Sequence, residues 1–453
     1  MIRDLSKLSA LCLALAYSMP GAALTLLELY EQTLSSHPVL KSREFTIEQA
    51  RAEKDQALSK LLPQLAATGN LSWNEFSQEQ QVSAFSREQR MVTTRYQGLR
   101  GVLQARQALF DLPSLLNWQG AGEGVRQTER EWEAAHMAVS SDLIDRYFAA
   151  LETADEIGYL QGEKDLTASE IQRLRKMFER QLAPITDVYE VEAYQQSLLT
   201  HEIELQNARA VALEKLRETA GIPVPDVAPL VRESLPEVPG QIDQWAADAV
   251  RNHPGLLALQ HQIEAADKMI ASARAYHLPQ LSLQMSETYA DNGGFDNRQF
   301  PRYTVGSLGL QVNVPLYSGG AVEAGVRDAV ARYHQAQEKY TEKQREIERE
   351  TRTAWLNAKA GRARIDSTAR ETAAREKARD AQEKSYEYGI ATITAVLEAK
   401  KNHLKARFEQ AQARYDYIRA LTALRLWAGT LSRQDIEDLN GWLGRTAVKA
   451  KKN

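Results

Sequence analysis

The chain has 453 residues, 43% hydrophobic, 26% charged and 7% aromatic, enough to bury one large core or several ordinary ones. Its formal charge of -4, from 56 Lys and Arg against 60 Asp and Glu, excludes the basic excess of a nucleic-acid binder. A mean hydropathy of -0.46, with no run of 18 apolar residues, excludes a polytopic helical membrane protein.

The first residues read as an export signal. Arg3 and Lys7 supply positive charge, Leu8 to Met19 an apolar block, and Gly21-Ala22-Ala23 the small residues of a cleavage site, so cleavage is expected after Ala23. The only cysteine, Cys12, lies inside that segment, and Leu11 before it makes a poor lipid-attachment site. The exported chain is then expected to have no thiol, which excludes disulfides, thiol catalysis and Cys-bound metal.

After a first helical stretch, Leu65, Ala67, Leu71 and Trp73 alternate with Ala66, Thr68, Asn70 and Ser72. Leu99, Gly101, Leu103 and Ala105 alternate with Arg100, Gln104 and Arg106. This period of two predicts a β-hairpin over about 64–109. The period then turns helical from about Leu115 to Glu179, turns at Gln181 to Pro184, and returns from Thr186 to Ala220. Pro223, Pro225, Pro229, Pro236 and Pro239-Gly240 follow as a joint that no helix crosses.

Residues 241–276 read as one helix on Ile242, Trp245, Ala249, Leu256, Leu259, Ile263, Ala266 and Ile270, ended by Pro279. A second hairpin is expected over about 280–317. Leu281, Leu283 and Met285 form one arm, Asp291-Asn292-Gly293-Gly294 the turn, and Leu308, Leu310, Val312, Val314 and Leu316 the other arm. From Ser318 toward Tyr388, Val326, Ala329, Tyr333, Ala336, Tyr340, Ile347, Ala354, Ala358 and Ile365 fall on heptad-compatible positions. Such a helix is roughly 100 Å long at 1.5 Å per residue. Gly389 breaks it, and Ile393 to Trp427 return antiparallel; the tail Lys449-Ala450-Lys451-Lys452-Asn453 reads as disordered.

The chain looks duplicated. His37-Pro38 recurs as His253-Pro254 and Leu62-Pro63-Gln64-Leu65 as Leu278-Pro279-Gln280-Leu281, while Ile185-Thr186-Asp187-Val188 matches Ile393-Thr394-Ala395-Val396. The expected organisation is a signal at 1–23, a first repeat at 24–232, a second at 233–430, and a C-terminal segment at 431–453. Each repeat carries a helix, a β-hairpin and a long helical hairpin, at about 112–220 and 318–428. Four amphipathic strands have open edges and one apolar face, an arrangement a bilayer does not tolerate in a single copy. If that face meets lipid, several chains must close one barrel. Three would supply twelve strands, though the sequence does not itself count them.

These markers, together with Pro315-Leu316-Tyr317-Ser318-Gly319-Gly320 at the strand-to-helix junction, resemble the TolC family of outer-membrane efflux and secretion channels. The resemblance covers essentially the whole exported chain. It implies a mainly α fold with membrane β: a homotrimeric twelve-stranded β-barrel in outer-membrane lipid, continued by a long coiled-coil α-helical barrel in the periplasm. It implies a periplasmic adaptor and an inner-membrane ABC or proton-driven pump as partners, and no cofactor. By the same resemblance Thr186 and Asp187 match a polar pair opening an inner return helix, Tyr386 the tyrosine bonded to it, and Glu398 an acidic constriction residue. Thr394, the counterpart of Thr186, joins them at the constriction, and Gln181, Pro184 and Gly389 mark adaptor-contact tips. The chain departs from the pattern at Ala391, where a family member has arginine, at Ala395, where it has a further acid, and at Gln181, where both hairpins usually have glycine. A closed state held by fewer links, with one carboxylate ring, is expected. Gln181 either accepts strain or lets Pro184 set a different turn.

Plainer readings stand beside these. Thr186 and Asp187 also fit a helix cap and first-turn acid, Glu398 a solvated face, and Tyr386 a heptad filler. Gly120-Ala121-Gly122-Glu123-Gly124 and Gly319-Gly320 lack the Lys-Ser/Thr of a phosphate loop, and the eight histidines show no metal-ligand spacing. Trp73, Tyr96, Tyr289 and Tyr303 are candidates for an interfacial aromatic belt. An adaptor or scaffold of a transport assembly is the alternative function, but it would carry one coiled-coil hairpin between compact β-domains. An exported enzyme would show convergent catalytic residues, and none stands out. The transported substrate is not legible, because in this family the pump selects the cargo.

Overall fold

The computed structural model describes residues 23–81, 87–232, 234–291 and 302–444. The expected export signal up to residue 22, the expected turn at Asn292 to Gly294 and the basic tail lie outside them. In chain order the elements are α1 (Leu26–Ser36), α2 (Pro38–Ser59), β1 (Gln64–Gln81), β2 (Gln89–Phe110), α3 (Leu112–Glu179) and α4 (Ile185–Ala220). There follow α5 (Ile242–Asn252), α6 (Pro254–Ala275), β3 (Gln280–Asp291), β4 (Arg302–Asn313), α7 (Ala321–Glu387), α8 (Ile393–Trp427) and α9 (Arg433–Asn440). Two compact units result, one built from residues 1–44, 130–257 and 342–453, the other from 45–129 and 258–341.

The first unit holds the main core. Thr25 starts α1 with a capping box, its hydroxyl accepting from Glu28 N–H and its own N–H donating to the Glu28 carboxylate. That helix then buries Leu26, Leu29 and Tyr30 against Leu143, Ile144, Tyr147, Phe148 and Leu151 of α3, with Tyr415, Tyr417 and Ile418 of α8 in the same cluster. Each fully buried Leu or Ile contributes about 1.5–3 kcal/mol. The phenol oxygen of Tyr147 accepts from Ala228 N–H at 2.9 Å and has the Leu24 and Ala228 carbonyls at 3.2 and 3.3 Å. It thereby ties the segment before α1 to the proline-rich joint.

The stretch 241–276 is two helices, not the single one its periodicity suggests. Pro254 forces the preceding His253 to extended backbone (φ -66, ψ 118), and Pro38 does the same to His37 (φ -63, ψ 122). His253 is 7% exposed, lies parallel to the Trp427 ring, and accepts from Gly255 N–H on Nδ1 at 3.0 Å.

The second unit is organised by a four-stranded antiparallel sheet in the order β1-β2-β3-β4, so β1 and β4 each keep an open edge. Register aligns the side-chain alternation across all four strands. One row runs Leu65, Ala105, Met285, Leu308; the adjacent row on the opposite face runs Ala66, Gln104, Ser286, Ser307, with the last two hydroxyls 2.8 Å apart. The apolar face adds Leu71, Trp73, Leu99, Leu103, Tyr289 and Leu310, all exposed. Strand β4 is exposed along its whole length. The first hairpin keeps its expected bounds, β1 starting at Gln64 and β2 ending at Phe110. One bound of the second differs from expectation. Strand β4 stops at Asn313, because Pro315 has no N–H for a ladder, and leaves Leu316 93% exposed.

No helix among the described residues is long and apolar enough to cross a membrane.

Replacing Tyr147 by Phe leaves the buried Ala228 N–H without its acceptor, so denaturant unfolding should show a loss of about 1–3 kcal/mol. Burial, reinforced by the Lys343 charge, lowers the His253 pKa from 6.5 to about 4. Below pH 6.5 the unfolded chain therefore binds a proton that the folded one refuses. The contribution is intact above that pH and is lost progressively as pH falls to about 4, reaching about 3 kcal/mol. His253→Asn should flatten the unfolding free energy across this window, and an unchanged slope would assign it to other groups.

Candidate functional site

The turn between α3 and α4 and the turn between α7 and α8 share one hydrogen-bond pattern. Gln181 N–H donates to the Phe178 carbonyl at 2.8 Å and Leu182 N–H to Met177 at 2.8 Å. Gly389 N–H donates to Tyr386 at 2.9 Å and Ile390 N–H to Ser385 at 2.8 Å. Both are Schellman-type stops, which place one residue in the left-handed region. Gly389 takes φ +71 without penalty, whereas Gln181 takes φ +59, the only non-glycine with positive φ among the described residues. Of the two ways Gln181 could act, strain at the turn geometry shared with Gly389 is the one adopted, at a cost of about 1–2 kcal/mol. Pro184 serves as N-cap of α4 and supplies no side-chain bond, while Thr392 caps α8 by accepting from Ala395 N–H at 3.3 Å.

Under the turns lies a small apolar cluster of Ile171, Leu174, Val188, Val191, Ile393, Val396 and Leu397, with Tyr386 packed at its margin. From there the Tyr386 hydroxyl donates to Oδ2 of Asp187 in a very short hydrogen bond. Burial, then this bond, push the phenol pKa well above the ordinary tyrosine range, so it remains a donor. Asp187 sits in the first turn of α4, where a negative charge is favoured by the helix dipole. Thr186, Thr394 and Glu398 are exposed and stand outside this pair.

One residue that sequence comparison missed stands beside it. Arg173 of α3 is held bidentate by Glu170 at 2.6 and 2.9 Å, lies 3.9 Å from Glu387, and opposes burial at the Tyr386 phenol through its charge. A cation therefore stands near the pair although Ala391 supplies none. The signal was spatial, since Arg173 and Tyr386 lie on different helices. Farther along the same groove, Lys400, 7% exposed, pairs with Glu383 at 3.2 Å, and burial raises the Glu163 pKa against the pull of Lys400 and Arg379. At the tips themselves Leu182, Tyr388 and Ile390 are 67%, 80% and 81% exposed.

The sequence model of the family described as "Outer membrane efflux protein" matches residues 29–222 and 245–430. The chain is 27% identical to the alkaline protease secretion protein AprF of Pseudomonas aeruginosa, over 92% of this chain and 86% of that protein. It is 25% identical to the outer membrane protein TolC of Escherichia coli, over 95% and 87% respectively. Among solved structures, CusC superposes with a TM-score of 0.77 at 17% identity, covering 89% of this chain and 92% of the other. The Campylobacter jejuni CmeC outer membrane channel gives 0.75 at 16%, covering 92% and 90%. With matches in both halves of the chain, it belongs to the outer membrane efflux protein family, as an outer-membrane factor of the TolC type.

Proposed function

We propose that three copies of this chain, exported and cleaved after Ala23, close a twelve-stranded barrel in the outer membrane, continued by a tunnel of twelve helices in the periplasm. The observation that carries the proposal is the sheet: its apolar face spans all four strands and both its edges are unpaired. Oil supplies neither donors nor acceptors, so those edges need partner strands, and β4 of one copy against β1 of the next provides them. The polar face, with Gln104, Ser286, Ser307 and Gln311, then lines the lumen. The tube acts as the exit duct of a tripartite secretion or efflux system. The exposed Leu182, Tyr388 and Ile390 meet a periplasmic adaptor, and an inner-membrane ABC or proton-driven pump supplies the energy. The periplasmic end is closed by the Tyr386–Asp187 bond with Arg173 beside it, and Glu398 and Thr394 face the constriction.

A cysteine scan tests the assembly, since Cys12 is the only native thiol and lies in the signal. Pairs such as Thr68→Cys or Asn70→Cys on β1 with Ser307→Cys or Gln311→Cys on β4 should cross-link in membranes to a ladder ending at three chains. A ladder ending elsewhere, or none across the whole scan, overturns the trimer. For the latch, Tyr386→Phe removes a hydrogen bond to a charged group, shifting the closed-to-open ratio by about tenfold or more. Single-channel conductance in planar bilayers should rise accordingly, and an unchanged trace would leave the bond a packing detail.

A further inference from the structure

The sheet-bearing unit holds a donor set that no step of export uses. Glu123 of α3 and His261 and Glu264 of α6 bring one imidazole nitrogen and two carboxylate oxygens within 4.8 Å of one another. Nδ1 of His261 is 3.0 Å from Oε2 of Glu123 and 3.3 Å from Oε2 of Glu264. Local geometry produces this. His261 and Glu264 are three residues apart and share a face of α6. Helix α3 runs close to that face at Gly120, where a Cβ would stand in ordinary contact, 3.4 Å from Lys268 Cβ and 3.5 Å from the Ala265 carbonyl. Glu123, three residues on, is delivered to the same seam.

Hydrogen bonding does not account for the cluster. A ring nitrogen carries at most one hydrogen, so two carboxylates facing the same Nδ1 compete for a single N–H. A cation between the three atoms satisfies all of them. Tetrahedral zinc, with bonds of about 2.0–2.2 Å, spaces its ligand atoms about 3.4 Å apart, close to the two separations from His261. The other oxygen of Glu123 accepts from Arg126 at 2.8 Å, which orients the carboxylate as outer-shell partners of metal ligands do. The Glu123 and His261 side chains are 15% and 22% exposed and that of Glu264 is 44%, so solvent reaches the cluster from the Glu264 side. Paired inward-facing carboxylates and a His three residues from a Glu are also how helical bundles hold divalent transition ions.

We infer that Glu123, His261 and Glu264 bind a divalent transition-metal ion, zinc foremost, with water in the fourth position. The mixed donor set selects the class. An imidazole disfavours calcium and magnesium, the lack of sulfur disfavours cuprous ion, and two carboxylates neutralise the dication. Bound there, the ion braces α3, which follows β2, to α6, which precedes β3.

The test uses the full chain purified in detergent, with any affinity tag removed and bound metal stripped by a chelator. Calorimetric titration with Zn²⁺ should give one tight site per chain, and Co²⁺ should develop the visible absorption of a tetrahedral site. His261→Ala and Glu123→Gln should each weaken binding by about tenfold or more and remove the Co²⁺ band. The more exposed Glu264→Gln guards against misfolding, and equal thermal unfolding of variants and parent in chelator shows the fold intact. The site is refuted if the parent binds no ion, or if folded variants keep its affinity and spectrum.

Discussion

Everything in the second unit answers to one constraint: a hydrogen-bonded sheet whose side chains are apolar on one face and polar on the other, with no further strand paired to either edge among the described residues. Backbone N–H and C=O groups are obligatory hydrogen-bonding groups, and in hydrocarbon they have no water to fall back on. A soluble protein with such a sheet would lay a helix over the apolar face. Here Leu71, Trp73, Leu99, Leu103, Leu308 and Leu310 remain uncovered. The surface of the chain is therefore unfinished in a specific way, and the family it belongs to works in the one solvent that suits an uncovered apolar face.

The helical hairpins face the opposite problem. Along α7 the buried apolar residues are small, Ala329, Ala336, Ala354 and Ala358, with Ile347 as the larger exception, so this helix lets its neighbours approach closely. Specificity then falls to polar pairs set within the seams. Tyr415 donates to Asp155 at 2.5 Å, Tyr417 to the Pro236 carbonyl at 2.5 Å, and Arg419 pairs with Glu152 at 2.6 Å. Such bonds add little net stability, but each fixes a register, since a slipped helix would strand a buried polar group.

The same contrast governs the two tips. Their backbone turns are alike, yet the residue in one copy that corresponds to Tyr386 is Phe178, and the counterpart of Asp187 is Ala395. Only one of the two equivalent positions can make a polar link, so the duplication is symmetric in backbone and asymmetric in chemistry. Gln181 adds to this asymmetry: it holds a strained φ that Gly389 adopts freely.

Much of this was legible in the chain itself. Alternation over Leu281 to Met285 and Leu308 to Val312, heptad spacing from Val326 to Ile365, and the helix bounds at Ile393 and Trp427 are local consequences of periods two and three-and-a-half, which sequence order records directly. The Tyr386–Asp187 partnership came from resemblance rather than spacing. What the sequence could not reveal depends on residues distant along the chain. The split at His253 needed the pre-proline restriction to win over an unbroken helical period. Arg173 near the Tyr386 phenol, and Glu123 beside His261 and Glu264, meet only because separate helices pack side by side. Periodicity says which face a side chain lies on; only packing between helices decides what stands opposite it.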